Sequence, residues 1–273
     1  MPSQYTKLIV DLDGTLYRGP QALPGAVEAI TQLRATHRIL FLSNNCNMTS
    51  ETLAQRLRGL GFEADPQEVV SSVTLMVEAV DQLGRGLRVL TLCSGDLDRA
   101  LQEAGHQTVK AGKPDVVVVA VDFDVSYSKI RNVLSALRAG AVFIGANADA
   151  TYPTENGPQP AAGAFVGAVR GMGFTPSHMC GKPDPWAMQT ALRLRGFTVD
   201  KECLLIGDRL DSDILGAEAL GIDSALVLTG ASTRSDIERL RIHPTYLLEA
   251  FPAITALVHH DCAPFDPTTD GGD

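Results

Sequence analysis

A chain of 273 residues with 45% hydrophobic and 20% charged residues can bury a sizeable core, and its composition excludes disordered and fibrous classes for most of its length. A formal net charge of −9 leaves no basic footprint for nucleic acid or for an anionic membrane. The longest purely apolar run, VVVVAV at residues 116–121, is too short to span a bilayer.

The opening MPSQYTKLIVD lacks the basic region and long apolar run of a secretory signal, so none is expected. Residues 7–10 read as a first strand, 26–36 as a helix, 38–42 as a second strand, and 50–60 as a helix closed by Gly61. Further strands are expected at 87–92, 116–121 and 141–144, separated by helical patterns at 97–103 and 128–137. Later, 185–194 reads as a helix, 203–206 as a strand, 212–220 as a helix and 224–228 as another strand. Strands alternating with helices in this way predict an α/β fold, a doubly wound, Rossmann-like parallel sheet whose strands are covered on both faces and therefore apolar throughout. Turn signals place candidate junctions near residues 73–81 and 174–182. The expected organisation is a discontinuous core, residues 1–78 and 179–260, an inserted α/β cap at 79–178, and a flexible tail at 261–273 rich in turn formers and acids. The five cysteines, at positions 46, 93, 180, 203 and 262, form no CxxC pair and read as buried thiols, which suits a reducing cytoplasm.

Chemistry concentrates at strand ends. In IVDLDGTL, residues 9–16, an apolar strand runs into Asp11 and Asp13, and Gly14 then permits a sharp turn. Ligands of parallel α/β sheets gather beyond the carboxyl ends of the strands. If the strand continues through the pair, period-two geometry points both carboxylates to one side, where their repulsion favours a bound cation. The plainer reading is that a strand simply ends in turn-forming aspartates. GDRLDSDI, residues 207–214, supplies a second acidic cluster after the strand CLLI. Asp211 or Ser212 could cap the following helix there, but Asp208, immediately after the strand, is better explained by a divalent-metal site. FLSNN, residues 41–45, ends the second strand with a hydroxyl and two amides suited to phosphoryl oxygens. GKPDP, residues 181–185, sets Lys182 in a rigid turn where its ammonium can act as a point charge.

In their order these four segments resemble the haloacid dehalogenase superfamily, and within it the NagD-like and 4-nitrophenylphosphatase-like branch; the resemblance covers roughly residues 7–258. It implies a magnesium-dependent phosphatase in which Asp11 attacks phosphorus to form an aspartyl phosphate while Asp13 acts as general acid and then base. Ser43 and Asn44 match the second motif and Lys182 the third, all as phosphate-binding groups. Asp208 and Asp213 match the fourth. The resemblance implies magnesium held by the Asp11 side chain, the Asp13 backbone carbonyl and Asp208, with Asp213 behind them. PDVVVVAVDFDVSYSKI and GANADATYPTENGPQPAAG are similar to cap segments of that branch, although Ala146 and the AAG at 161–163 depart from its pattern. Asn147 and Asp149 are either pocket contributions from the cap or turn formers. The expected substrate is a small phosphorylated metabolite, such as a sugar phosphate, and a homodimer through the cap is expected from similar proteins. Two other readings remain at this point: a phosphomutase of the same superfamily, and a non-catalytic, receiver-like phosphate sensor.

Overall fold

The computed structural model describes residues 4–152, 157–259 and 264–265. The chain divides into two compact units, one comprising Met1–Ser43, Ala54–Val69 and Met188–Asp273, the other Asn44–Leu53 and Val70–Ala187. The first unit is built on a six-stranded sheet. From edge to edge its strands are Tyr246–Leu248, Asp223–Val227, Cys203–Gly207, Lys7–Val10, Arg38–Ser43 and Val69–Ser71. Lys7–Val10 pairs in parallel with both neighbours, Lys7 lying opposite Cys203 on one side and Arg38 on the other. Leu8, Ile9 and Val10 are fully buried, as a strand covered on both faces requires. Chain order reverses direction across the sheet between Lys7–Val10 and Cys203–Gly207. That is the topological switch point, and the crevice beyond the carboxyl ends of these two strands receives Asp11 from one and Asp208 from the other.

The second unit has its own five-stranded sheet, in the order His178–Met179, Val142–Gly145, Val116–Val119, Arg88–Leu92, Gln107–Val109, with every pairing parallel. Its central strand is the VVVV run, buried along its whole length. Val117, Val119, Leu90 and Phe143 pack with Val133 and Leu137 of the helix Tyr127–Arg138 and with Val166 and Val169 of the helix Ala162–Gly171. The α/β architecture expected from the alternating pattern is therefore present in two parallel sheets with helices, accompanied by two small antiparallel pairs, Tyr17–Arg18 with Gln21–Ala22 and Thr151–Tyr152 with Gln159–Pro160.

Several local expectations need correction. The first junction, placed near residues 73–81, lies inside the helix Ser72–Leu83, whose amino end is capped by Ser71 accepting from the Thr74 amide at 3.3 Å. A domain boundary at residue 78 would cut that helix, and contacts divide between Val69 and Val70 instead. The helix expected at 212–220 begins earlier, with a π-helical turn at Leu210–Ile214 before the α-helix Leu215–Leu220. There the amides of Asp213 and Ile214 both reach the Arg209 carbonyl, at 3.0 and 3.2 Å, which widens the first turn. Most of the tail at 261–273 lies outside the described residues. Phe265, which is described, donates its amide to the Thr245 carbonyl at 2.8 Å and packs against Leu210, Ile214, Leu226 and Ile237. The four described cysteines are free thiols; Cys46, Cys180 and Cys203 are buried, whereas Cys93 is only partly so. Cys262 lies outside the described residues.

Candidate active site

The first strand ends at Val10, so the alternation expected to carry Asp11 and Asp13 to one side does not extend to them. Asp11 donates its amide to the Ile206 carbonyl at 2.9 Å, a last ladder bond that fixes it against the Cys203–Gly207 strand. Its carboxylate is buried and accepts from Thr15 Oγ1 at 3.3 Å. The chain then turns tightly: the Leu16 amide reaches the Leu12 carbonyl and the Gly14 amide the Tyr17 carbonyl, both at 2.8 Å. Gly14 adopts φ +85°, a conformation that glycine alone takes freely. Asp13, on the outside of this turn, is exposed, and its Oδ2 accepts from the Tyr17 phenol at 3.0 Å. Burial, followed by the nearby Asp13 charge, raises the Tyr17 pKa, so the phenol stays a donor.

Asp11, Asp208 and Asp213 come together. Each is buried, and each offers a carboxylate oxygen, these atoms all lying within 4.8 Å of one another. Asp208 is pressed between two backbones. A Cβ added at Gly14 would stand 2.4 Å from Asp208 Oδ2, and one at Gly230 only 1.8 Å from it. The Ala231 amide donates to Asp208 Oδ2 at 2.6 Å, and the Ser232 amide to the Asp208 carbonyl at 3.0 Å. Thr229 Oγ1 donates to the Gly14 carbonyl at 2.7 Å, which ties the Thr229–Ser232 loop to the first turn. Asp213 accepts from the Arg209 amide through Oδ2 at 3.0 Å, and Gly207 leaves room for it, since a Cβ there would lie 2.2 Å from Asp213 Cγ. Helix capping by Asp211 is not what the chain uses here: Asp211 pairs with the Arg209 guanidinium at 3.2 Å.

Burial first, and then the charges of Asp11 and Asp213, push the Asp208 carboxyl well above the usual carboxylate range. Asp208 Oδ1 is buried and has no hydrogen-bond partner among the described residues. Three buried carboxylates with an unsatisfied oxygen, in a cradle emptied of side chains by two glycines, fit a hard divalent cation that takes oxygen ligands. Asp213, expected behind the metal ligands, thus offers an oxygen in the same cluster as Asp11 and Asp208.

The second unit holds another constellation. The Asn44 side chain locks onto the main chain of Lys182: Oδ1 accepts from the Lys182 amide at 2.7 Å, and Nδ2 donates to the Lys182 carbonyl at 3.0 Å and to Asp149 Oδ2 at 3.1 Å. Asn147 Nδ2 in turn donates to the Asn44 carbonyl at 2.7 Å, and its Oδ1 accepts from the Asp149 amide at 3.2 Å. Gly181 permits this approach, since a Cβ there would meet Asn44 Oδ1 at 2.7 Å. Lys182 is buried, and the bond to Pro183 is cis. Both ends of the Asn44 carboxamide are thus engaged, with the lysine loop and with Asp149. Asn147 and Asp149 join the same lattice and close a turn as well. Ser43, the last residue of its strand, is buried.

Residues 8–107 match a model of haloacid dehalogenase-like hydrolases, and residues 179–254 match a second, HAD-hydrolase-like model. An acid sugar phosphatase of Staphylococcus aureus is 35% identical over 248 residues, 89% of this chain and 94% of the relative. The chain belongs to the haloacid dehalogenase-like hydrolase family. Among solved structures, a p-nitrophenyl phosphatase from Archaeoglobus fulgidus superposes on this hydrolase with a TM-score of 0.87 at 28% identity, over 93% of this chain and 99% of that one. The glycerol phosphate phosphatase of Mycobacterium tuberculosis, in complex with magnesium, does so with a TM-score of 0.83 at 35% identity, covering 93% and 78%. The hydrolase therefore sits on the phosphatase branch that its motifs resemble. Among the described residues no helix is long and apolar enough to cross a membrane.

The sequence reading of this hydrolase missed the Thr229–Ser232 loop and Tyr17. LTGAS follows the strand Asp223–Val227 as a small-residue turn at a strand's carboxyl end, and that position was its only signal.

Proposed function

We propose that this chain hydrolyses small phosphate monoesters, sugar phosphates or related organophosphates, through a covalent phosphoryl intermediate on Asp11. The observation that carries the reading is the buried trio Asp11, Asp208 and Asp213 with the unpartnered Asp208 oxygen, an arrangement that a bound cation would relieve. Magnesium, held by Asp11, Asp208 and the Asp13 carbonyl, would offset the charge of the ester dianion and of the attacking carboxylate. The Asp11 carboxylate attacks phosphorus while the bond to the alcohol oxygen breaks, and Asp13 delivers a proton to that oxygen. Asp13, now ionised, takes a proton from water as the water attacks phosphorus, which releases inorganic phosphate and restores Asp11. Ser43 and the Lys182 ammonium bind phosphoryl oxygens, and Asn44 serves by fixing the lysine loop. The family names of the relatives, acid sugar phosphatase and glycerol phosphate phosphatase, support the substrate class.

The proposal includes a cytoplasmic enzyme and a homodimer formed through the inserted unit, where Phe123, Val125 and Tyr127 are 64%, 46% and 84% exposed. Light scattering on the purified chain reads the dimer directly. For the activity, purified protein is presented with a panel of phosphate esters, first with magnesium and then with EDTA. Free phosphate released over many turnovers, lost in EDTA and in Asp11→Asn, is the expected result. An isomerised ester in place of free phosphate, or an Asp11→Asn rate near that of the unaltered chain, overturns it.

A further inference from the structure

We infer that Tyr17 is a positioning residue for Asp13, its phenol holding the carboxyl group that serves as general acid in one orientation. The inference rests on the role proposed above for Asp13. Asp13 is exposed on a turn, where packing restricts its two side-chain torsions less than it would in a core. Tyr17 supplies a fixed hydrogen-bond partner. Its ring is fully buried, and its hydroxyl donates to Asp13 Oδ2 at 3.0 Å. The two residues are also tied through the main chain, since they form a bridge and the Gly14 amide reaches the Tyr17 carbonyl at 2.8 Å.

The ring itself is anchored from the other side. The Arg56 guanidinium lies over it, 4.7 Å from the centroid, and Arg56 also donates to the Gly19 carbonyl at 2.7 Å, beyond the strand Tyr17–Arg18. An exposed acid is thus hydrogen-bonded to a side chain that is immobilised by burial, by a cation and by its own hairpin. Misplacing a reacting group by about 1 Å can cost on the order of 10²-fold in rate. The plain structural alternative is that a buried phenol found the nearest acceptor.

Leaving groups separate the two. An alkyl alcohol departs with difficulty unless protonated, whereas p-nitrophenol departs readily as its anion. The ratio kcat/KM reports the step in which Asp11 displaces the alcohol, where Asp13 acts as acid. Tyr17→Phe keeps the ring and its contact with Arg56 and removes only the hydroxyl. Its kcat/KM is expected to fall about tenfold further on an alkyl phosphate than on p-nitrophenyl phosphate, a fraction of the 10²- to 10⁴-fold that acid-base catalysis is worth. Activity on the nitrophenyl ester reports in the same tube whether the variant folds. Equal losses on the two esters, or no loss on either, overturn the inference. Asp13→Asn, measured alongside, identifies which claim has failed. If it discriminates between the esters and Tyr17→Phe does not, the positioning role alone falls; if it does not discriminate, the acid assignment falls and takes the positioning role with it.

Discussion

Asp208 occupies a place where a charge has no protein counterpart. It is 3% exposed, has two carboxylates within reach, and is relieved chiefly by one amide from Ala231. Without a cation that arrangement opposes folding, because burial and like charge both disfavour the ionised form. Asp208→Asn keeps the shape, removes one of three negative charges and lets the new amide face Asp11 and Asp213. Its melting temperature in EDTA is therefore expected to lie above that of the unaltered chain. Added magnesium should stabilise the unaltered chain by about 2.7 kcal/mol at a hundredfold excess over its Kd, and the variant hardly at all. A calorimetric shift of the same size in both would contradict the metal assignment. At this scale the two strand-end acids were legible, since Asp11 and Asp208 follow apolar runs directly. Tyr17 and Gly230 were not, because a phenol becomes a positioning group and a glycine a cradle only when a distant side chain arrives beside them.

Single elements show why boundaries failed where strands succeeded. The longer strands carry continuous apolar runs that burial explains, whereas Val69–Ser71, Gln107–Val109, His178–Met179 and Tyr246–Leu248, each two or three residues long, were not foreseen. The helix Ser72–Leu83 begins SVT, whose valine and threonine are β-branched, and was expected to hold a junction, although Ser71 two positions before Val73 is its N-cap. The helix Ala162–Gly171 carries glycines at 163, 167 and 171, which lower helix propensity and mimic a turn. Gly163 is there for another reason: a Cβ would come within 2.4 Å of the Ala148 carbonyl oxygen, so only glycine allows that approach. The helix Arg234–Leu240 shows electrostatics at work on one element. Asp236 accepts from the Thr233 amide at 2.9 Å and hydroxyl at 2.7 Å, and pairs with Arg239 at 2.7 Å. The Arg239 guanidinium first, and then these Thr233 bonds, lower its pKa from 3.8 to about 2. A carboxyl lowered in the folded state stabilises it above the unfolded pKa, and that contribution disappears as pH falls from about 4 to about 2. Asp236→Asn should therefore be less stable by about 1 kcal/mol at neutral pH, a screened value for a partly exposed group, and the gap should close on acidification through that window. Thermal melts of the two proteins from pH 6 to pH 2 test this; a gap that stays constant rules it out.

For the whole molecule, an acidic enzyme acting on an anion has an electrostatic conflict to resolve locally. The net charge of −9 repels a phosphate dianion at a distance, while a cation held by the buried carboxylates, as proposed above, would attract it only at close range. Screening acts on the first effect more than on the second, since the Debye length falls from about 30 Å at 0.01 M salt to about 8 Å at 0.15 M. Over that range kcat/KM for a phosphate ester is expected to rise modestly with added monovalent salt. A steep fall would show that a positive field around the site governs encounter instead. The alternation of strands and helices made the fold class legible, as did the presence of a second βα-rich block. Strand order was beyond it, because nothing in a run such as CLLIG says that its neighbour in the sheet will be a segment almost two hundred residues earlier.

The space around Asp208 is shared by three stretches of chain remote from one another in sequence, at Gly14, Gly207 to Asp213, and Gly230. A side chain gained at either glycine evicts the same carboxylate, so the second gain finds the damage already done. Alanine at both should cost clearly less than the two single costs added together.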